Sequence, residues 1–295
     1  MFDWLRLLLL AATLFAGAMT GWAQTKTCIP EISRFTDDVY DPALGNVDTL
    51  DKAEFYIRGQ LPKNSTKADA AEAIGRFLRQ RFYHGFSEYR ICENWISHYV
   101  GLINHQWISP ISPDEIIRYR SAGCSQNTLV YQSLLSRFGI DYATVSFWHP
   151  EHRATAAKID GTWYYFDADI EPHRDRLVRF DEVMRGHVLR EMYRGKAGAP
   201  GFGHGDDLGL QFEEAAQLGK ITFTDIDRYP AERGAFIHRL TGWLSVYGWL
   251  VGLAISLFAV VVGPPSRFAV LRRVQAAFRF TRPGNNRSAA KSFAA

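Results

Sequence analysis

The stretch SAGCSQNTLVYQSLLSRFGIDYATVSFWHPEHRATAAKIDGTWYYFDADIE, from Ser121 to Glu171, decides the fold. It sets a cysteine at the start of a helix, a histidine at the start of a strand and an aspartate at the end of the next strand. Gly123 offers a tight turn just before Cys124. Leu129, Val130, Leu134, Leu135 and Phe138 then recur at helical spacing, which predicts one buried face. Gly139 is placed to close that helix. Ser125, Gln126 and Asn127 suit a first turn, where backbone N–H groups need acceptors. Cys124 therefore stands at the positive end of a helix dipole, which favours its thiolate.

The second half of the stretch predicts a hairpin. Asp160-Gly161 is a strong signal for a two-residue type I′ turn. Pairing outward from it sets Ile159 opposite Thr162, Lys158 opposite Trp163, Ala154 opposite Asp167 and His152 opposite Asp169. With a period of two, His152, Ala154, Asp167 and Asp169 share one face. Asp167 is then the diagonal neighbour of His152 and Asp169 the direct one, and either carboxylate can orient the imidazole. Ala154 and Ala156 leave room on that face for another element, for which the Cys124 helix is the expectation. A thiol, an imidazole and a carboxylate in this order suit nucleophilic catalysis.

These residues resemble the transglutaminase-like superfamily, relatives of the papain-type thiol enzymes. The likeness is carried by Gly123-Cys124, Leu134-Leu135, Gly139-Ile140, His152, Asp160-Gly161-Thr162-Trp163 and Asp167, with 28 residues from cysteine to histidine and 15 from histidine to aspartate. It implies an α+β, papain-like core in which the cysteine helix packs on an antiparallel sheet. It also implies Cys124 as nucleophile, His152 as base and Asp167 as orienter. Arg153-Ala154 and Ala168-Asp169 depart from the residues usual in that family, and the second departure keeps Asp169 as an alternative orienter.

The 295 residues, 47% hydrophobic and 14% aromatic, are ample for a sizeable core and exclude a disordered chain. The net charge of +3 is unevenly spread. Arg267, Arg272, Arg273, Arg279, Arg282, Arg287 and Lys291 crowd the last segment with no acid among them, so the rest is mildly acidic. Such a body gives no reason to expect a nucleic-acid partner. His98 and His105 lack companions at ligand spacing, and no metal or cofactor is expected.

The predicted organisation follows the chain. Residues 1–23 read as a signal peptide or N-terminal anchor. Residues 24–68 form an N-terminal extension, 69–175 the transglutaminase-like core, and 176–239 a helical and glycine-rich extension. Residues 240–263 form one transmembrane helix and 264–295 a basic cytoplasmic tail. Leu240 to Ser266 carries no charge, and twenty of these residues at about 1.5 Å each cross roughly 30 Å of hydrocarbon. Within the core and its flanks, helices are expected from Ala68 to Phe82, from Asn94 to Trp107 and from Asp181 to Arg194. Three cysteines outside the cytoplasm leave one over, and a Cys28–Cys92 pair is consistent with that count.

The expectation from the residues and the resemblance together is a membrane-tethered thiol enzyme of the bacterial periplasm. It would act on peptide or carboxamide bonds of a protein or peptide substrate through an acyl-enzyme, as protease, amidase or amine acyltransferase. The alternative is a non-catalytic domain of the same fold that binds a periplasmic protein or polysaccharide.

Overall fold

A computed structural model describes residues 2–28, 39–148, 151–170, 175–194, 207–228 and 232–261. The basic tail and most of the glycine-rich stretch after Arg194 lie outside the described residues, as does His149. The chain divides into two compact units, one of Ala18–Tyr247 and one of Met1–Gly17 with Gly248–Ala295.

The larger unit is a mixed helix and sheet fold. Its sheet is antiparallel, in the order β5 (Thr162–Phe166), β4 (Glu151–Ile159), β3 (Tyr142–Trp148), β6 (Ile221–Thr224). The predicted hairpin register holds over the paired residues, from Ile159 opposite Thr162 to Thr155 opposite Phe166. Both turn residues, Asp160 and Gly161, have positive φ (47° and 81°), as a type I′ turn requires. The ladder stops there, so Asp167 and Asp169 stand beyond the strand.

Strand alternation gives the sheet two apolar faces. Tyr142, Ala157, Ile159 and Phe166 pack with α2 (Leu50–Gln60), α3 (Lys67–Arg81) and α6 (Cys124–Arg137). Ala143, Val145, Phe147, Ala154, Ala156 and Tyr165 pack with α7 (Phe180–Met184), α8 (His187–Met192) and α9 (Leu208–Gln217). The room beside Ala154 and Ala156 is thus filled by the α7–α9 layer, and the cysteine helix lies on the opposite face. The segment from Asp181 to Arg194 is broken into two helices at Gly186, whose φ of 84° no helix continues through.

Helix α6 departs from a single buried face. All its residues from Gln126 to Leu135 are buried, among them Gln126, Asn127, Thr128, Gln132 and Ser133. It is a central helix whose polar side chains have internal partners, such as Gln132 Nε2 donating to Thr144 Oγ1 at 3.0 Å. Its end is as expected: Gly139 follows it at φ 67°.

Among the described residues two apolar helices, rather than the one expected, are long and apolar enough to cross a membrane. The first is α1 (Phe2–Gln24) and the second α10 (Glu232–Val261). In the smaller unit they touch through small residues: Gly17 lies against the Trp249 side chain, and Gly252 against Thr13, where an added Cβ would collide. In the larger unit α10 docks on α4 (Ile91–Gly101), which is kinked at Asn94. The Asn94 side chain donates to Thr241 Oγ1 (3.1 Å) and accepts from Ser245 Oγ (2.9 Å). Thr20 donates to the Ser245 carbonyl at 2.8 Å. Cys28, just past α1, is disulfide-bonded to Cys92 of α4, and Cys124 is the free cysteine.

Candidate active site

Cys124 is the first residue of α6 and is 7% exposed. The glycine before it does not make a tight turn, for its φ of −80° and ψ of 175° suit any residue. Its smallness is what matters. A Cβ at Gly123 would fall 2.8 Å from the Phe86 ring. The first turn of α6 is stapled by Gln126. Its Oε1 accepts from the N–H groups of Gly123 (3.2 Å) and Ser87 (2.9 Å), and its Nε2 donates to the carbonyls of Ser87 (3.1 Å) and Pro110 (2.9 Å). An end of the cysteine helix is thereby tied to the segment that carries Phe86.

His152 is the second residue of β4, on the α7–α9 face, so it meets Cys124 at the ends of the strands rather than across the sheet. Its Nε2 is 2.7 Å from Asp167 Oδ2, and both side chains are almost fully buried. The same carboxylate oxygen accepts from Tyr193 O–H at 2.7 Å, and Tyr193 O–H is 2.6 Å from Tyr165 O–H. The other oxygen accepts the N–H groups of Asp169 (3.0 Å) and Ile170 (3.1 Å). A carboxylate that receives four donors is an acceptor throughout, so Nε2 carries the proton and Nδ1 is left for the cysteine. The imidazole is walled by Phe212 (ring centroids 5.3 Å apart) and Phe147 (5.9 Å).

The electrostatics follow from burial opposed by pairing. Burial disfavours the charged imidazole, but the charge and hydrogen bond of Asp167, with a further hydrogen bond to Cys124, outweigh it. They hold His152 well above the ordinary histidine range. Burial likewise pushes the Asp167 carboxyl up, and the His152 charge with the hydrogen bonds from His152, Tyr193 and Ile170 brings it below the usual value. The pair is thus built to be ionic in the folded protein.

Asp169, the direct cross-strand candidate, is in the site but serves other partners. Its Oδ1 is 2.9 Å from His84 Nδ1 and accepts from Asn127 Nδ2 at 3.0 Å. His84 arrives through a short parallel pair, β1 (Tyr83–His84) with β2 (Ser121–Ala122), which sets it opposite Ala122. The ligand atoms of Cys124, His152 and Asp169 lie within 4.8 Å of one another. The site therefore gathers all four predicted residues: Asp167 bonds to His152, and Asp169 faces Cys124 and His152 while bonding to His84.

No known family model matches the chain, and no curated protein matches it either. What the site can do rests on its own geometry. It has a thiol at a helix start, an imidazole with one nitrogen fixed, and a buried carboxylate that fixes it. Tyr193, Phe212, His84 and Asn127 complete it; the first two and Asn127 were not singled out by the sequence for this role, and for His84 core packing was the expectation. The segment Arg81-Phe82-Tyr83-His84-Gly85, rich in polar and aromatic side chains, is divided in use. His84 reaches the site, whereas Arg81 is buried in the core and donates to the carbonyls of Val47, Ile117 and Tyr119.

Proposed function

We propose that the chain is a thiol enzyme of the transglutaminase-like, papain-like kind, acting on peptide or carboxamide bonds. Cys124 attacks the carbonyl carbon as the thiolate of a thiolate–imidazolium pair, and His152 gives its Nδ1 proton to the departing amine. The products of this half-reaction are an acyl-enzyme and a free amine. Water or a second amine then attacks the thioester and regenerates the thiol. Asp167 holds the tautomer and stabilises the imidazolium. The observation that carries this reading is the 2.7 Å His152–Asp167 bond, buried beside a cysteine at a helix N-terminus.

The folded body is proposed to lie in the bacterial periplasm, tethered by both apolar helices, with the basic tail in the cytoplasm. The acid-free cationic end supports that orientation, and the Cys28–Cys92 bridge supports an oxidising compartment. Packing of Gly17 on Trp249 and of Thr13 on Gly252 supports an N-terminal helix that is retained as an anchor.

The test is acylation of the purified full chain by an activated acyl ester, read by intact mass. A single acyl group on wild type and none on Cys124→Ala is expected. An unmodified wild-type chain across pH would leave the non-catalytic binding domain as the reading.

A further inference from the structure

Asp169 Oδ2 is buried without a hydrogen-bond partner, and the side chain is only 1% exposed. Leaving a carboxylate oxygen so placed is costly unless a ligand meets it. The other oxygen is held by His84 and Asn127, so the carboxylate is fixed in place. Cys124 Sγ and a ring nitrogen of His152 are within 4.8 Å of its ligand atom and of each other.

We propose that Cys124, His152 and Asp169 form a binding site for a thiophilic divalent cation of the zinc type. Thiolate, imidazole and carboxylate are the three donor kinds that zinc takes, and three protein ligands leave a fourth position open. Metal–ligand bonds of about 2.0–2.3 Å put tetrahedral ligand atoms roughly 3.3–3.7 Å apart, so the cluster needs to close by at most about 1.5 Å. The outer partners already suit a metal centre. His152 gives its other ring nitrogen to Asp167, and Asp169 gives its other oxygen to Asn127 and His84, as second partners of metal ligands do. Magnesium and calcium, which want oxygen donors, do not fit this set.

The ion takes Cys124 as thiolate and His152 as neutral imidazole, and the protons they carried leave to solvent, so binding and nucleophilic attack exclude each other. The site is then reversibly switched off by metal. This regulatory role rests on the thiol-enzyme reading, whereas the binding itself does not.

The experiment uses the full chain in detergent, stripped with a chelator and dialysed against zinc. Wild type should bind one equivalent per chain, and zinc, unlike magnesium, should protect Cys124 from iodoacetamide. Cys124→Ala should lose that equivalent. Asp169→Asn should bind at least about tenfold more weakly, since even outer partners are worth about 10–100-fold. Equal zinc binding by all three chains, or by wild type and Asp169→Asn, overturns the proposal. If Asp169→Asn fails to fold, cobalt on wild type decides: a thiolate-to-metal charge-transfer band is expected, and its absence overturns the proposal. Acylation without zinc binding sinks this inference alone, and zinc binding without acylation sinks the enzyme reading alone.

Discussion

Asp167→Asn keeps the shape of the side chain and removes one of its two acceptor oxygens. Four donors converge on that carboxylate: His152 and Tyr193 on Oδ2, and the Asp169 and Ile170 N–H groups on Oδ1. Whichever way an amide is turned, its NH₂ faces two donors. Two hydrogen bonds to a charged acceptor, at about 1.5–3 kcal/mol each, are lost. The expected destabilisation is about 3–6 kcal/mol, a large part of the roughly 5–15 kcal/mol that holds a domain folded. The pH dependence has a definite sign. The Asp167 carboxyl is held low in the fold by His152 and its hydrogen bonds, against burial. Its contribution is present above the unfolded value of about 3.9 and is lost as pH falls through the folded value. His152 is held high by Asp167, against burial. Its contribution is complete below about pH 6.5 and is lost as pH rises through the folded value. The gap between wild type and variant should thus be widest between about pH 4.5 and 6 and shrink on the acid side. Unfolding of the full chain in detergent, followed by circular dichroism across pH, measures it. A variant as stable as wild type near pH 5.5, or a gap that ignores pH, would refute the ionic pair. Acyl-enzyme formation should fall by orders of magnitude in parallel, because the imidazole tautomer is no longer held.

Three further changes test neighbouring parts of the structure. Tyr193→Phe removes the phenol O–H from Asp167 Oδ2 and should cost about 1.5–3 kcal/mol; a melting temperature equal to wild type would show that the bond carries no weight. Gln126→Ala takes away buried bonds that join α6 to Ser87 and Pro110, and about 3 kcal/mol or more should go with them. Protease nicking between Gly85 and Arg90 should then quicken, and an unaltered cleavage rate would count against the staple. A reporter active only in the cytoplasm should work when fused after Ala295 and be silent when fused after Gly219, and the opposite pattern would sink the proposed orientation.

How much of this was legible depends on the range of the interaction. The hairpin was, because Asp160-Gly161 fixes its turn locally and alternation propagates the register. The Cys124 helix and its Gly139 exit were, for the same local reason. The partner layer of Ala154 and Ala156 was not, since a row of small residues tells that something approaches and not what. Tyr193 and Phe212 were also hidden: they come 26 and 45 residues after Asp167, one just past a helix and one within a helix whose spacing marks only a buried side. The choice between Asp167 and Asp169 turned on where the ladder ends. Pairing alone put Asp169 opposite His152, but the strand stops at Phe166, and His84 from a distant segment takes Asp169. Gly123 was noticed for a turn that its backbone does not make, because the Phe86 ring that requires its smallness lies 37 residues earlier.

The bridge between Cys28 and Cys92 bears on how the chain is born. Both of its sulfurs precede Cys124, the nearer one by 32 residues. In the proposed periplasmic topology, a chain threaded outward from its N-terminus would present the correct pair before the competing thiol has appeared. Order of emergence would then do the sorting that three equivalent cysteines in a refolding tube would have to do by trial. Renaturation from the reduced state should accordingly be error-prone, with Cys124 captured in mixed pairings. Synthesis in place would hand the protein its one unpaired sulfur by timing alone.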